Sequence, residues 1–247
     1  MQSTAPANMA RPMAFHALME KIRRIEGGFG NPQLRQHLST GIDALDANLP
    51  GGGLAAGAIH ELWSPVEGGG LWTVATQLVR QSANRGGAIL WFDPRCDFYP
   101  PAARTIGIDL GRLILVRPQG RKQMLWGIGH ALRCRGIAAV VGMVASPTLA
   151  EIRRLQLAAE SGGGLGFLLA TRREDVSAGG VASRWKVTGG RSNGEVRRIS
   201  VEIEKCRGGS ARPPIMLEVE HGQVRVAVSS RLADRPDSPN VADSSAA

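Results

Sequence analysis

The sequence predicts an α/β fold: a mostly parallel central sheet flanked by helices, with antiparallel strands added at its C-terminal side. Three observations predict it. Between Leu38 and Ala170 short apolar runs alternate with helical spacings, as in a parallel sheet whose crossovers are helices. After Ala170 the helical spacing stops, and Val/Ile alternation continues between glycine-rich turns. Finally, 32 glycines and an aromatic content of 4% favour small-residue packing and glycine loops.

The elements follow in chain order. Residues 1–12 are small and polar; Phe15, Leu18, Met19, Ile22 and Ile25 then predict a short amphipathic helix, ended by Gly27, Gly28 and Gly30. That helix packs either on its own domain or on a partner. Strands are expected at Ala58–Trp63, Ala88–Phe92, Leu113–Val116, Ile137–Val144 and Leu165–Ala170. Helices are expected between them at Leu71–Ala83, Pro101–Ile106, Arg121–Arg133 and Thr148–Glu160, the last opened by the capping-box pair Thr148 and Glu151. The polar, glycine-bearing segment 171–180 reads as a loop of the kind that often carries function. Ala182–Thr188, Val196–Lys205, Ile215–Glu220 and Val224–Val228 read as antiparallel strands. The expected division is a tail and helix over 1–37, one domain over 38–228 and a disordered, Ser/Asp/Pro/Ala-rich tail over 229–247.

Composition narrows the function. The formal net charge of +9 favours polyanionic partners, because phosphates neutralised by Lys and Arg release counterions. No apolar run approaches the roughly 20 residues that span a bilayer, and Met1–Ala10 lacks the apolar stretch of a secretory signal, so a cytoplasmic protein with no membrane partner is expected. Cys96, Cys134 and Cys206 stand far apart without Cys or His companions, which points away from disulfides and zinc. The five histidines are isolated, and no Ser/His/Asp or paired-carboxylate spacing occurs. No catalytic residue, metal or cofactor is therefore expected, and His60, inside an apolar strand, reads as a satisfied core or sheet-edge residue rather than a base.

The most informative stretch is Leu38-Ser39-Thr40-Gly41-Ile42-Asp43-Ala44-Leu45-Asp46, followed by Leu49-Pro50-Gly51-Gly52-Gly53-Leu54, Gly57 and Ile59-His60-Glu61-Leu62. In this order it resembles the RecA superfamily, where such a run leads through a core strand into the phosphate-binding loop. Gly86–Asp93 resembles the second strand of that family, and Ala103–Arg112 the segment after it. The likeness covers roughly residues 38–205. Within the superfamily the chain resembles the ImuA family, the RecA-like members of a bacterial mutagenesis cassette. The strings that carry this are Leu132-Arg133-Cys134, Arg153–Glu160, Ser183-Arg184-Trp185-Lys186-Val187 and Cys206-Arg207-Gly208-Gly209.

A working phosphate loop reads GxxxxGK[ST]: backbone N–H groups cradle phosphates, the lysine reaches the β/γ oxygens and the hydroxyl binds Mg²⁺. In the register that the resemblance implies, this chain reads Ser64-Pro65-Val66-Glu67-Gly68-Gly69-Gly70-Leu71. Gly70 stands at the lysine and Leu71 at the hydroxyl, while Glu67 adds an anion where phosphates would sit. Thr73 comes two residues too late. Arg95 replaces the glutamate that activates water, and Gly142 the metal-linked acid of the next core strand. A degenerate nucleotide site is thus expected at Ser64, Gly69, Gly70, Leu71, Arg95 and Gly142. Phosphoryl transfer depends on electrostatic positioning, so losing these groups together removes most of the rate enhancement. Trp63, Trp72, Trp91 and Trp126 are expected to cluster around this loop and fill the nucleotide's space.

Candidate DNA contacts are Arg172, Arg173, Arg184, Lys186, Arg191, Arg197 and Arg198, in the region where RecA-like proteins carry a DNA-facing loop. The resemblance implies an adaptor in damage-induced translesion synthesis. It would associate with ImuB, a polymerase-like protein, and through it with a DnaE-type error-prone polymerase, with RecA and single-stranded DNA as further partners. Two other readings compete. A DNA-dependent ATPase with unusual residues predicts turnover lost on changing Arg95 or Gly70. A SulA-like inhibitor of cell division would share the RecA core but not the N-terminal helix or the strands after Ala170.

Overall fold

The computed structural model describes residues 36–83, 86–171, 180–190, 195–209, 212–220 and 223–226. The expected N-terminal helix, Arg172, Arg173, Arg191 and the C-terminal tail lie outside these residues.

The run from Ser39 to Asp46 is a folded corner. Asp46 accepts hydrogen bonds from Ser39 Oγ at 2.6 Å and Thr40 N at 2.8 Å, which turns the chain so that Ile42 and Leu45 enter the core. This corner, with the short helix α1 (Asp43–Asp46), joins β1 (His37–Leu38) to β2 (Leu54–Ala55), and the two strands pair antiparallel. The sequence reading missed them because a two-residue strand has no period to detect.

The chain then alternates through β3 (Ile59–Ser64), α2 (Leu71–Ala83), β4 (Ala88–Phe92), α3 (Pro100–Ile106) and β5 (Leu113–Val116). It continues through α4 (Arg121–Arg133), β6 (Ile137–Met143), α5 (Leu149–Gly162) and β7 (Leu165–Thr171). The antiparallel segment comprises β8 (Ser183–Gly189), β9 (Arg197–Cys206), β10 (Ile215–Glu220) and β11 (Gln223–Val226). The capping box at α5 is formed: Thr148 Oγ1 accepts from Glu151 N, and Glu151 Oε2 accepts from Thr148 N. Such a cap contributes about 1 kcal/mol.

One nine-stranded sheet runs in the order β11-β10-β9-β8-β3-β7-β6-β4-β5. β3 to β7 pair parallel among themselves, as the alternation predicts, and β9, β10 and β11 pair antiparallel. β8 corrects the expectation: it is antiparallel to β9 but runs parallel to β3, with Glu61 opposite Arg184 and Leu62 opposite Trp185. Its alternation fits either direction; a long connection from β7 brings it back beside β3. On one face of the sheet Val74, Leu78 and Val79 of α2 meet Leu62, Trp91, Phe167, Trp185 and Ile199. On the other, Leu125, Ile128 and Leu132 of α4 and Ile152 and Leu155 of α5 meet Ile59, Phe92 and Leu168.

Candidate functional site

In parallel α/β sheets the ligand-facing edge lies at the carboxyl ends of the strands, where β3 turns into α2. Ser64 ends β3, is fully buried, and donates its Oγ–H to the carbonyl of Val66 at 2.8 Å, which closes a tight turn. Gly69 lies against that hydroxyl, and a Cβ there would collide with it. Gly70 has φ +92°, in the left-handed region that glycine tolerates, and its carbonyl accepts the first helical bond of α2 from Val74 N at 3.0 Å. A Cβ on Gly70 would sit 2.6, 2.8 and 2.9 Å from Cδ1, Cγ1 and Cγ2 of Ile199. Leu71 is buried in the core. Arg197 donates a guanidinium N–H to the carbonyl of Gly68. The glycine loop is therefore packed under β9, with no room at Gly70 for a lysine side chain. The residues of this loop do not fit a magnesium nucleotide.

The neighbouring turn is likewise held by internal contacts. Asp93 directly follows β4 and is buried; its carboxylate accepts from the backbone N–H of Asp97 at 3.2 Å and Phe98 at 2.9 Å. Arg95 pairs with Asp97 at 2.8 Å and reaches Glu67 at 3.7 Å, bridging the two loops. Both partners of the Glu67 contact are more than half exposed, so it adds little stability. Gly142 is buried on the opposite face, where a Cβ would meet Ile128 Cδ1 at 2.5 Å; it makes room for α4.

The four tryptophans do not form one cluster. Trp72 stacks on Trp91 at 5.6 Å, and Phe98 closes on Trp91 at 4.3 Å, so the aromatic group beside the loop consists of these three rings. Trp63 points to the other face of the sheet, where it donates to Glu204 at 2.9 Å and lies under Lys186. Trp126 is 62% exposed on α4. Helix geometry sends Trp126 outward because its neighbours Met124, Leu125 and Ile128 occupy the buried stripe.

Among the candidate DNA contacts that are described, Arg184 is withdrawn. Its side chain is 7% exposed and bonds Glu61 at 2.6 Å across the β3–β8 pair. Arg184 Nη2 has no hydrogen-bond partner among the described residues. Lys186 sits over the Trp63 ring, Arg197 is committed to Gly68, and Arg198 bonds Glu218 at 3.1 Å. Lys186, Arg197 and Arg198 share the β8–β9 sheet region, but Arg197 and Arg198 point to opposite faces of β9.

At the opposite, amino-terminal ends of the strands lies a cavity of about 1040 Å³. His60 and Ser183 line it, although both are buried. His60 Nε2–H donates to the carbonyl of Ala55 at 3.1 Å, leaving Nδ1 to accept from the Ser183 hydroxyl at 2.7 Å. Ser183 Oγ in turn accepts from Trp185 Nε1–H at 2.6 Å. This is the satisfied core histidine expected from the sequence. Burial lowers its pKa from 6.5 to about 4, with Arg207 adding to the depression and the Ala55 bond opposing it. Because the folded pKa lies below the unfolded one, stability from the neutral ring is complete above pH 6.5 and lost as pH falls toward 4. Urea titrations are expected to show roughly 3 kcal/mol less stability at pH 4 than at pH 7 from this group. A His60→Gln chain with an equal pH dependence would refute that assignment.

Among the described residues no group of three His, Cys, Asp or Glu is placed to hold a metal, and no helix is long and apolar enough to cross a membrane.

The RecA N-terminal domain pattern matches residues 22–154. The chain is 35% identical to protein ImuA of Caulobacter vibrioides strain NA1000 / CB15N, over 80% of this chain and 90% of that protein. It is also 32% identical to protein RecA of Chlorobium chlorochromatii over 43% of this chain and 30% of that protein. With protein RecA of Anaplasma marginale strain Florida the identity is 33%, over 51% and 37%.

Proposed function

Since the chain belongs to the ImuA family of RecA-like proteins, we propose that it is a non-catalytic adaptor of damage-induced translesion synthesis in the bacterial cytoplasm. It assembles with an ImuB-type polymerase-like protein and, through it, with a DnaE-type error-prone polymerase; RecA and single-stranded DNA are further partners of the assembly. The observation that carries the non-catalytic part is Gly70 packed under Ile199. A RecA-type ATPase needs a lysine there, and Phe98, Trp72 and Trp91 pack together beside the loop. Of the degenerate site, Ser64, Gly69, Gly70, Leu71 and Arg95 then serve as a structural corner, and Gly142 makes room for α4 on the other face of the sheet.

Two measurements on the purified full chain test this. Calorimetry with ATP and Mg²⁺ is expected to give no binding heat, and single-stranded DNA no stimulation of phosphate release. Co-expression with an ImuB-type protein is expected to yield a complex that survives gel filtration. DNA-stimulated turnover would replace the adaptor with the unusual-residue ATPase. Filamentation on overexpression, with damage-induced mutagenesis unchanged by deletion, would replace it with a division inhibitor.

A further inference from the structure

Two of the strings that carry the family likeness, Leu132-Arg133-Cys134 and Arg153–Glu160, end up side by side. α4 and α5 are parallel neighbours: Arg121 at the start of α4 bonds Glu151 in the first turn of α5 at 2.7 Å, and the carbonyl of Leu132 lies against Gly162 at the other end. Their inner stripes are spent on the sheet.

Their outer face differs from an ordinary solvated one. Trp126 is 62% exposed, and Leu149 and Leu157 are 54% exposed. Trp126 is also held in place, with the His130 ring 3.9 Å from it and His130 Nδ1 bonded to its carbonyl at 3.0 Å. Lys122, Arg133, Arg153 and Arg154 are exposed on these helices. Among the described residues the acids on these helices offer them no partner. α4 contains none, Glu151 is committed to Arg121 and Thr148, and Glu160 accepts from Gln156 at 3.0 Å. Arg133 donates one N–H to the Gly129 carbonyl of its own helix at 2.9 Å, which leaves its charge unpaired by an acid among the described residues. Large apolar groups beside cations without acidic partners are the composition of an interface whose partner brings carboxylates.

We propose that the outer face of α4 and α5 docks a carboxylate-rich amphipathic segment of a protein partner. Trp126 and Leu157 act as apolar anchors, and Lys122, Arg133, Arg153 and Arg154 pair with the carboxylates. This rests on the adaptor reading and names the surface through which it works. A protein segment fits better than nucleic acid. Single strands bind on successive aromatic platforms, whereas this face offers one ring, already covered on one side by His130, and two leucines that gain nothing from phosphate.

The test compares the full chain with Trp126→Ala and with the pair Arg153→Glu and Arg154→Glu, using Tyr99→Ala, 66% exposed elsewhere, as the control. Affinities are measured for the ImuB-type protein and, separately, for a labelled single-stranded oligonucleotide, with thermal melts to verify folding. Both test variants are expected to bind the protein partner at least about 10-fold more weakly. The charge-reversed pair should also lose the salt dependence of binding, and the control should stay within about twofold of the parent. If the variants bind the partner as tightly as the parent, another surface docks it: this proposal is overturned and the adaptor reading stands. If the parent itself does not bind the partner, the adaptor reading falls and takes this one with it. If the oligonucleotide alone is lost, the face belongs to nucleic acid.

Discussion

Replacing Gly70 with lysine, the residue a working phosphate loop carries, is expected to destabilise the protein by about 4 kcal/mol without creating an ATPase. Two costs add. A non-glycine residue at φ +92° costs about 1–3 kcal/mol, and forcing atoms into the space that Ile199 fills costs a similar amount. Burying the ammonium adds a further penalty unless β9 moves away. Gly70→Ala isolates the contribution of the Cβ, and Gly70→Lys combined with Ile199→Ala should recover part of the loss by opening the space. Urea denaturation measures all three. A Gly70→Lys chain that is as stable as the parent and binds ATP would show that the loop is a nucleotide site lacking only its lysine.

Removing one half of the Glu61–Arg184 pair has an effect of similar size for a different reason. Both side chains are 7% exposed and stand opposite each other where β3 meets β8, the seam between the sheet's α/β half and its antiparallel half. Glu61→Ala leaves a guanidinium buried without its partner, in addition to the Nη2 that already lacks one, and is expected to cost about 3–5 kcal/mol. Replacing both residues, as Glu61→Leu with Arg184→Met, removes both desolvation penalties and is expected to be near neutral. The double-mutant cycle reads the coupling directly. If the double variant is as unstable as Glu61→Ala, the pair is not what holds this seam.

Much of the fold is legible in local side-chain pattern. The bounds of α2, α4, β4 and β5, the capping box at α5 and the parallel-then-antiparallel succession all follow from side-chain period and local caps, which act over a few residues. That Gly70 and Leu71 stand where the RecA likeness expects a lysine and a hydroxyl is likewise read from a short ordered string. The remaining features depend on partners far apart in the chain. That β8 runs parallel to β3, that Ile199 lies on Gly70, that Arg184 is buried on Glu61 instead of facing a ligand, and that the tryptophans separate onto three surfaces all depend on strand order and register. Alternation with a period of two says which residues share a face, but the same pattern pairs equally well with any neighbouring strand in either direction. Strand order is settled by which apolar faces cover one another across the whole sheet, and that balance is struck only when the chain folds.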